Sequence, residues 1–383
     1  MSFNSNLPER PRILVVTLRR LGDVLLTTPL MRTLRKSFPN AILDTLVFRG
    51  SDGILKGNPD IDHVLTVSEK PSAAETLTTI AKLWRRYDLV VSTQAGDRPT
   101  FLALIAGRRR VGLVPHAGHG AWWKRHVYHH AVPAEPDCHR VEDLFRLADA
   151  LGLARQQGIV CPQGSSVDAI APKGAYAVLH ASPMYRYKQW TEAGWRALAR
   201  ALADRGLTLV ATGGPDAGER VYLDALWGAG TPTVMRLDGR LDWPQLAALL
   251  GGAAVYVGPD TSMTHLAAGT GCPTVALFGP TDPRLWGPWP VGGLEQPWAA
   301  AGSLQRRGNV WLVQNSLPCT PCQKEGCDRH LTSHSQCLDE LSANQVLAAV
   351  DQALAWSRDR GGARQSRTEV GMEGDMPLAA VKP

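Results

Sequence analysis

A strand–turn–helix corner in the second half of the chain constrains the fold more than any other feature. The apolar run 253–257 is typical of a buried parallel strand, a Gly-Pro turn follows at 258–259, and residues 262–269 can form a helix. Such corners place backbone N–H groups and the positive end of a helix dipole where phosphorylated ligands bind in open α/β folds. The corner therefore predicts an α/β fold with a phosphate site. Asp260 and Thr261 lie where the cap of this helix belongs.

Strands and helices alternate on both sides of this corner. The predicted strands are 12–17, 41–47, 63–67, 88–93, 175–180, 207–212, 253–257 and, as the final one, 274–279. Helices are predicted at 24–36, 73–86, 139–151, 191–205, 243–250 and 344–356. This pattern indicates a doubly wound sheet, and it occurs twice. We therefore predict two Rossmann-like domains, 1–165 and 166–357, which face one another across a cleft. Residues 154–174 are predicted to be a linker and 358–383 a disordered tail.

Charge and hydropathy limit the classes of partner. The chain has no run of about twenty apolar residues, and residues 1–12 lack the apolar core of a signal peptide, so we expect a cytoplasmic protein. Residues 1–165 hold 22 Lys and Arg against 15 Asp and Glu, a net +7, whereas the rest of the chain holds 19 against 20. We expect the basic half to meet a negatively charged partner, whether phosphorylated lipid, anionic membrane or nucleic acid. An ordinary solvated surface is the alternative.

A carboxylate flanked by cations follows the first predicted strand. Asp23 lies where this strand gives way to a helix, shortly after Arg19 and Arg20. At the open end of a parallel sheet, such a carboxylate can take a proton from a substrate hydroxyl while the arginines hold an anionic group. A role as a helix cap is the structural alternative for Asp23.

Two further loops of the second half carry residue types that bind nucleotides. The first loop contains Ser182 and Lys188, a hydroxyl and a cation suited to a diphosphate. The second contains Gly213 and Gly214, which let a ligand approach the backbone, and then Glu219, a candidate for ribose hydroxyls. The chain has neither a G-x-G-x-x-G nor a Walker A sequence, which argues against a dinucleotide dehydrogenase and a P-loop NTPase.

Two other clusters leave alternatives open. Arginines at 108–110, and two tryptophans beside the basic residues of 122–126, can contact nucleic acid, carbohydrate or phosphate, but no recognised nucleic-acid motif accompanies them. A late cysteine-rich segment has one C-x-x-C pair and then wider spacing, unlike a standard zinc ribbon. A loop of reduced, structural thiols is therefore favoured over a metal site. The cysteines concerned are Cys319, Cys322, Cys327 and Cys337.

Four motifs, taken in order, resemble one enzyme family. They are R-L-G-D-V-L-L-T-T-P at 20–29, K-Q-W at 188–190, G-P-D-T-S-M-T-H-L-A-A at 258–268 and L-F-G-P-T-D at 277–282. In this order and at these spacings the chain resembles the ADP-heptose:lipopolysaccharide heptosyltransferases of glycosyltransferase family 9, over residues 12–356. The motif at 22–29 and the stretch 327–337 make it most similar to the heptosyltransferase III type.

The resemblance implies a GT-B fold and inverting transfer of heptose from ADP-heptose to the inner core of lipopolysaccharide, with no cofactor required. The first domain would bind the core acceptor and the second the donor. Asp23 would be the catalytic base, and Arg19, Arg20 and Arg125 are predicted acceptor contacts. The predicted donor contacts are Ser182, Lys188, Gly213, Gly214, Glu219, Asp260, Thr261, Ser262 and His265. The protein would act in the cytoplasm, at the inner face of the inner membrane, without binding nucleic acid.

Two alternatives stay open at this level. A transferase of the same fold that uses another nucleotide sugar would carry the same phosphate corner. A zinc-containing nucleic-acid-binding protein would use the basic half and the cysteine cluster, but it would leave Asp23 and the Asp260 corner without a role.

Overall fold

Two largely parallel sheets, one in each half of the chain, form the framework of the molecule. The computed structural model describes residues 7–116 and 122–370. The strands of the first sheet are β1 Arg12–Val16, β2 Ile42–Phe48, β3 His63–Val67, β4 Tyr87–Ser92, β5 Gly107–Val114 and β6 His130–Pro133. Their order is β3-β2-β1-β4-β5-β6, and all neighbours run parallel. This is the strand order of a Rossmann fold, with its switch point between β1 and β4.

The second sheet repeats this arrangement and adds one strand. Its strands are β7 Tyr176–Leu179, β8 Thr208–Ala211, β9 Val234–Arg236, β10 Val255–Pro259, β11 Thr274–Phe278, β12 Leu304–Arg307 and β13 Val310–Gln314. The order is β12-β13-β11-β10-β7-β8-β9, in which β12 pairs antiparallel with β13 and the other pairs are parallel. The switch point lies between β7 and β10. Two Rossmann-like sheets are therefore present, as the alternating pattern predicted.

Helices cover both faces of each sheet. Those of the first half are α1 Leu21–Leu25, α2 Thr28–Ser37, α3 Ala73–Leu83, α4 Asp97–Ala106, α5 Trp122–Val127 and α6 Arg140–Ala150. Those of the second half are α7 Glu192–Asp204, α8 Ala217–Leu226, α9 Trp243–Gly252, α10 Ser262–Thr270, α11 Pro283–Trp286, α12 Gln336–Asp339 and α13 Ala343–Val370.

Side-chain caps explain where several of these helices begin. The hydroxyl of Ser72 accepts a hydrogen bond from the N–H of Glu75, whose carboxylate accepts one from the N–H of Ser72, so α3 starts with a complete capping box. Asp242 and Gln245 form the equivalent box at α9. Each cap satisfies helix-end N–H groups that would otherwise lack a partner, and it is worth about 1 kcal/mol.

The two halves share buried apolar surface. One continuous cluster runs from Ile13 in β1, through Leu144 in α6, to Tyr256 in β10. Trp289 belongs to it, is fully buried, and donates from Nε1 to the carbonyl oxygen of Gln157 at 2.8 Å. Between α6 and β7, where the linker was predicted, the chain forms neither helix nor strand. Packing therefore fixes one half against the other in this structure.

The sequence prediction was incomplete at the end of the second domain. The sheet does not finish at β11, because β12 and β13 follow it. The last helix is longer than predicted, because α13 continues to Val370 instead of ending at 356. The rest of the predicted tail, 371–383, lies outside the described residues. In the part of the chain that the structure describes, no helix is long and apolar enough to span a bilayer.

Candidate active site

The predicted phosphate corner forms as a strand, a turn and a helix. All five residues of β10 are buried, and α10 begins at Ser262 with Thr261 as its N-cap residue. The Thr261 side chain makes no capping hydrogen bond, which leaves the first N–H groups of α10 available to a ligand. These N–H groups and the helix dipole favour an anion at this position.

Asp260 is the centre of a buried polar cluster at this corner. Its Oδ2 accepts hydrogen bonds from Lys188 Nζ at 2.5 Å and from Thr281 Oγ1 at 2.8 Å. His265, in the first turns of α10, has its Nε2 3.9 Å from Asp260 Oδ1. The structure thus brings together residues from three loops that follow three neighbouring strands of the second sheet.

Contacts within this cluster set its charges. Burial opposes ionisation of Asp260, but the ammonium of Lys188 and then His265 hold the pKa of its carboxyl below the usual value. Burial also opposes protonation of Lys188, yet Asp260 raises the pKa of the lysine above its usual value. Burial lowers the pKa of His265. At neutral pH the cluster therefore holds an ionised aspartate, a charged lysine and a neutral histidine.

Glu219 organises the neighbouring loops of the second sheet. Its Oε1 accepts hydrogen bonds from the hydroxyl of Ser182 at 2.5 Å and from the backbone N–H of Gly214 at 2.8 Å. A Cβ at position 214 would lie 2.7 Å from Glu219 Oε2, so the absent side chain of Gly214 makes room for the carboxylate. The structure therefore joins these three predicted donor residues. Gly213 is equally constrained, because a Cβ there would lie 2.6 Å from Leu223 Cδ1.

Asp23 lies in the first turn of α1, close to two guanidinium groups. Its Oδ1 is 3.4 Å from Arg19 Nε and 3.9 Å from Arg140 Nε. That oxygen is buried and accepts a hydrogen bond from none of the described residues. The N-cap residue of α1 is Arg20, so Asp23 does not serve as the helix cap that was its structural alternative. A carboxylate oxygen held near cations, but without a donor of its own, is suited to accept a proton from a ligand.

The two halves of the predicted site meet where α1 packs against α10. A Cβ built on Gly22 would lie 3.6 Å from both His265 Cδ2 and the Cα of Ser262. Asp23, the next residue, acts electrostatically on His265 and raises its pKa, against the larger effect of burial. The predicted base and the predicted donor corner therefore lie side by side, although they are far apart in sequence.

A cleft of about 540 Å³ opens between the two domains, next to the arginines that flank Asp23, although Asp23 itself does not line it. Both of the guanidinium groups near Asp23, those of Arg19 and Arg140, line it, and so does Arg98. Aromatic walls come from Phe48 and from Trp286, the last residue of α11 in the second domain. Cations, aromatic surface and a neighbouring carboxylate make this cleft suited to an anionic saccharide.

The other two arginines predicted to contact the acceptor lie elsewhere. The guanidinium of Arg20 stacks over the ring of Tyr185 at 5.0 Å and reaches Met184 Sδ at 3.8 Å, both in the donor loop of the second domain. Arg125 lies on α5 and donates from Nη2 to the carbonyl oxygen of His116 at 3.3 Å. Neither lines the cleft beside Asp23, and both assignments stay predictions.

Three residues of the site were not predicted from sequence. Arg140 is buried at the start of α6 and donates from Nη2 to the carbonyl oxygen of Thr93 at 2.7 Å. His139, the N-cap residue of α6, has its Nε2 2.8 Å from the carbonyl oxygen of Gly287, across the domain boundary. Thr281 belongs to a motif that the sequence did single out, whereas nothing local distinguished the other two residues.

The cysteine-rich segment makes hydrogen bonds to the backbone of the donor loops. Ser335 donates from Oγ to the carbonyl oxygen of Tyr187 at 2.6 Å, and the N–H of Gln323 donates to the carbonyl oxygen of Pro280 at 2.7 Å. Burial, and then the neighbouring thiols, raise the pKa of Cys337 to about 12. The four cysteines of the segment carry free thiols. Within residues 7–116 and 122–370, no group of three or more His, Cys, Asp or Glu is arranged to hold a metal ion.

Comparison with known proteins decides the family. A profile of glycosyltransferase family 9 (heptosyltransferase) matches residues 78–328. The chain belongs to this family. Lipopolysaccharide heptosyltransferase 3 of Escherichia coli is 30% identical over 295 residues, which cover 73% of this chain and 86% of the relative. The predicted family and the predicted enzyme class, a glycosyltransferase, are confirmed.

Solved structures show the same fold. A glycosyltransferase of family 9 from Veillonella parvula aligns with a TM-score of 0.72 at 18% identity, covering 92% of this chain and 99% of the other. The Escherichia coli heptosyltransferase WaaC with ADP aligns with a TM-score of 0.67 at 23% identity, covering 89% and 99%. The predicted GT-B arrangement of two Rossmann-like domains is therefore confirmed.

Proposed function

We propose that this family 9 glycosyltransferase transfers heptose from ADP-heptose to the inner core of lipopolysaccharide, with inversion at the anomeric carbon. The observation that carries the proposal is the packing of α1 on α10, which brings Asp23 beside the donor corner. An acceptor hydroxyl at Asp23 can then attack the anomeric carbon of the donor and displace the diphosphate, held at the corner, in a single step. The similarity to lipopolysaccharide heptosyltransferase 3 supports this choice of donor and acceptor.

On the donor side, the diphosphate binds at the N-terminus of α10 beside Lys188. The ammonium of Lys188 has three N–H donors, and Asp260 accepts from it through Oδ2 at 2.5 Å. Its remaining donors and the first N–H groups of α10 then neutralise the charge that grows on the leaving diphosphate. Glu219, held by Ser182 and Gly214, keeps Oε2 for a ribose hydroxyl.

On the acceptor side, the core saccharide occupies the cleft beside Asp23. Its anionic groups pair with Arg19, Arg98 and Arg140, which line the cleft. Asp23 Oδ1 takes the proton of the attacking hydroxyl as that oxygen bonds to the anomeric carbon and the bond from this carbon to the diphosphate breaks. No divalent metal or other cofactor is needed in this scheme, because Lys188 and the helix end supply the positive charge.

The proposal also defines the partners. The donor is a soluble nucleotide sugar, whereas the acceptor is a phosphorylated saccharide on a lipid anchor, so the enzyme works at the cytoplasmic face of the inner membrane. Nucleic acid has no part in it.

Transfer assays with the purified chain test the proposal. ADP-heptose, UDP-sugars and GDP-sugars are offered with truncated core acceptors in the presence of EDTA, and the anomeric configuration of the product is read by NMR. We expect transfer from ADP-heptose alone, with inverted configuration. Transfer from another nucleotide sugar would identify a different donor, retained configuration would exclude the single displacement, and loss of turnover in EDTA would show a metal requirement.

Substitution of the base gives the sharpest single test. In Asp23→Asn the amide cannot accept the proton, so we expect turnover to fall by about 10²–10⁴-fold. Donor affinity, measured by calorimetry, should stay within about twofold, since Asp23 takes no part in holding the diphosphate. Wild-type turnover in this variant would refute the assignment of Asp23 as the base.

A further inference from the structure

We propose that the outer face of the layer α3–α4–α5 is a docking surface for an anionic phospholipid bilayer. These three helices cover one side of the first sheet and lie next to one another. The N–H of Arg85, just after α3, donates to the carbonyl oxygen of Ile105 in α4 at 2.8 Å. Lys124 in α5 donates to the carbonyl oxygen of Ala95, just before α4, at 2.9 Å. The outer sides of the three helices therefore form one continuous surface, which we call the outer helical face.

Large apolar side chains project from the outer helical face. Among the described residues, ten large hydrophobic side chains are markedly exposed, and five of them belong to this face, with exposed fractions of 44–68%. They are Leu77, Trp84, Phe101, Leu104 and Trp122. Leu83 is the one buried residue of α3, so this helix turns nearly all of its surface outward. Such a concentration of apolar surface marks an interaction site.

Basic residues predominate in the segment of the chain that carries this apolar surface. Between positions 69 and 130 the sequence holds ten Lys and Arg against four Asp and Glu, a net +6 that equals the net charge of the whole chain. Exposed members of this set are Lys70, Lys82, Arg85, Arg86, Arg108 and Arg125. Apolar and tryptophan side chains together with these exposed basic residues, which we call the basic rim, match the interface of a bilayer, where the acyl boundary lies beneath anionic headgroups.

The same features disfavour other occupants. A second copy of the chain would bring two basic rims together, which like-charge repulsion opposes. The phosphates of a nucleic acid would pair with the basic residues, but a nucleic-acid backbone provides no apolar environment in which Leu77, Phe101 and Leu104 could be buried. A bilayer accommodates both the charge and the apolar side chains.

The geometry also connects this face to the acceptor cleft, a point that rests on the proposed function. The first turn of α4 supplies Arg98 and Pro99 to the wall of the cleft. Phe101 and Leu104 follow on the same helix and are exposed. One helix thus joins the cleft to the membrane surface, so that a saccharide on a lipid anchor can enter the cleft while the enzyme stays bound.

Co-sedimentation of the full chain with vesicles tests the docking surface. Vesicles of phosphatidylethanolamine and phosphatidylglycerol are compared with vesicles of phosphatidylcholine, at low and at high salt. We expect the wild type to bind the anionic vesicles, with weaker binding at high salt, and to leave the neutral vesicles largely unbound. Failure to bind anionic vesicles at low salt would overturn the proposal.

Paired variants locate the surface. Each basic residue near an anionic membrane is worth about fivefold in binding, so Arg86→Glu with Arg108→Glu should weaken vesicle binding by about 25-fold or more. Phe101→Ser with Leu104→Ser should weaken it by at least about tenfold, since both substitutions remove apolar surface that the bilayer would bury. The matched controls, Lys173→Glu with Arg200→Glu and Val221→Ser with Met235→Ser, change exposed residues of the second domain and should bind as the wild type does. Equal losses in test and control variants would overturn the proposal.

Further measurements separate the rival occupants and the proposed function. A change of sedimentation coefficient in Phe101→Ser with Leu104→Ser would assign the face to a second copy, and stronger binding of single-stranded RNA than of vesicles, lost in the same variants, would assign it to nucleic acid. Both results would overturn the proposal. Transfer to a deacylated, water-soluble acceptor should be unchanged in the surface variants, whereas Asp23→Asn should lose transfer and keep vesicle binding. Vesicle binding without any transfer would refute the proposed function and leave the docking surface standing.

Discussion

The donor half and the acceptor half of the active site are built on opposite principles. In the donor half, the two carboxylates already have donors: Lys188 and Thr281 both donate to Asp260, and Ser182 donates to Glu219. Among the described residues of this half, Thr261 Oγ1 and His265 Nδ1 are buried without a hydrogen-bond partner. In the acceptor half, Asp23 Oδ1 is buried and accepts no hydrogen bond from the described residues, and Arg140 Nε likewise donates none. The first half is organised before any ligand arrives, and the second holds buried charges that a ligand must complete.

This difference follows from what each half must do. A diphosphate presents the same geometry in every turnover, so a rigid cluster around Asp260 can be set in advance and costs no reorganisation during the reaction. A base must instead keep a free oxygen for the proton it removes, and a hydrogen-bond donor there would lower its proton affinity. The two halves should therefore respond differently to the loss of one charge.

Loss of Lys188 should give the largest effect outside Asp23. In Lys188→Ala, the buried carboxylate of Asp260 loses its cation, and breaking a buried ion pair in this way costs about 3–5 kcal/mol. We expect the free energy of unfolding, measured in urea, to fall by that order, and ADP-heptose binding to weaken strongly in calorimetry. The variant Lys188→Ala with Asp260→Asn removes both charges and should recover much of the stability, but not the donor affinity. Unchanged stability in Lys188→Ala would mean that the donor half is not preorganised by this pair.

Loss of Arg140 should act on the opposite half. Arg140→Met keeps the length of the side chain but removes the cation near Asp23, and a charged hydrogen bond to a ligand is worth about 1.5–3 kcal/mol. We expect kcat/KM for the acceptor to fall by roughly 10–100-fold, with donor affinity unchanged. Steady-state kinetics with each substrate varied in turn measures this. A loss of donor affinity equal to the loss for the acceptor would show that the two halves are not independent.

The sequence located the donor half far better than the acceptor half, for a physical reason. The corner around Asp260 is local: a strand, a Gly-Pro turn and a helix within a few residues specify it. The cleft is assembled from loops distant in sequence, and the contact of Arg140 with Thr93 depends on how α6 packs beside the sheet. The two arginines near Asp23 in sequence also diverge, because Arg20 turns to Tyr185 while Arg19 stays beside the carboxylate. The excess of basic residues in the first half predicted which domain contacts an anionic partner, but it could not predict which arginines make the contact.

His139 links the two halves, and its titration should loosen that link. The N–H of Val141 donates to His139 Nδ1, so the neutral ring carries its proton on Nε2 and donates to Gly287. Burial lowers the pKa of His139 from 6.5 to about 4. The unfolded chain therefore binds this proton first as pH falls, and stability is lost between these two pKa values, by up to about 1.4 kcal/mol per pH unit for one proton.

Urea unfolding at several pH values measures this loss. His139→Asn retains an acceptor at the N-cap but cannot titrate. Its free energy of unfolding should therefore fall less steeply with decreasing pH than that of the wild type, by the slope that corresponds to one proton, over the same pH window. The buried His180 and His265 have lowered pKa values as well. Their contributions to the pH dependence of stability cancel in the comparison, because both residues are present in the wild type and in the variant. Parallel curves for wild type and variant would show that His139 does not titrate with unfolding.

The smallest expected effect decides the role of Arg20. Sequence assigns it to the acceptor, whereas the structure stacks its guanidinium over Tyr185 at the edge of the donor loop. A cation–π contact at an exposed site is worth about 0.5–1 kcal/mol. A double-mutant cycle of Arg20→Ala and Tyr185→Leu, followed by urea unfolding, should therefore return a coupling energy of that size, with acceptor KM nearly unchanged in Arg20→Ala. Zero coupling together with a raised acceptor KM would show that Arg20 contacts the acceptor, as the sequence predicted. Contact between the two halves would then depend on the packing of α1 against α10 and on the hydrogen bond of His139.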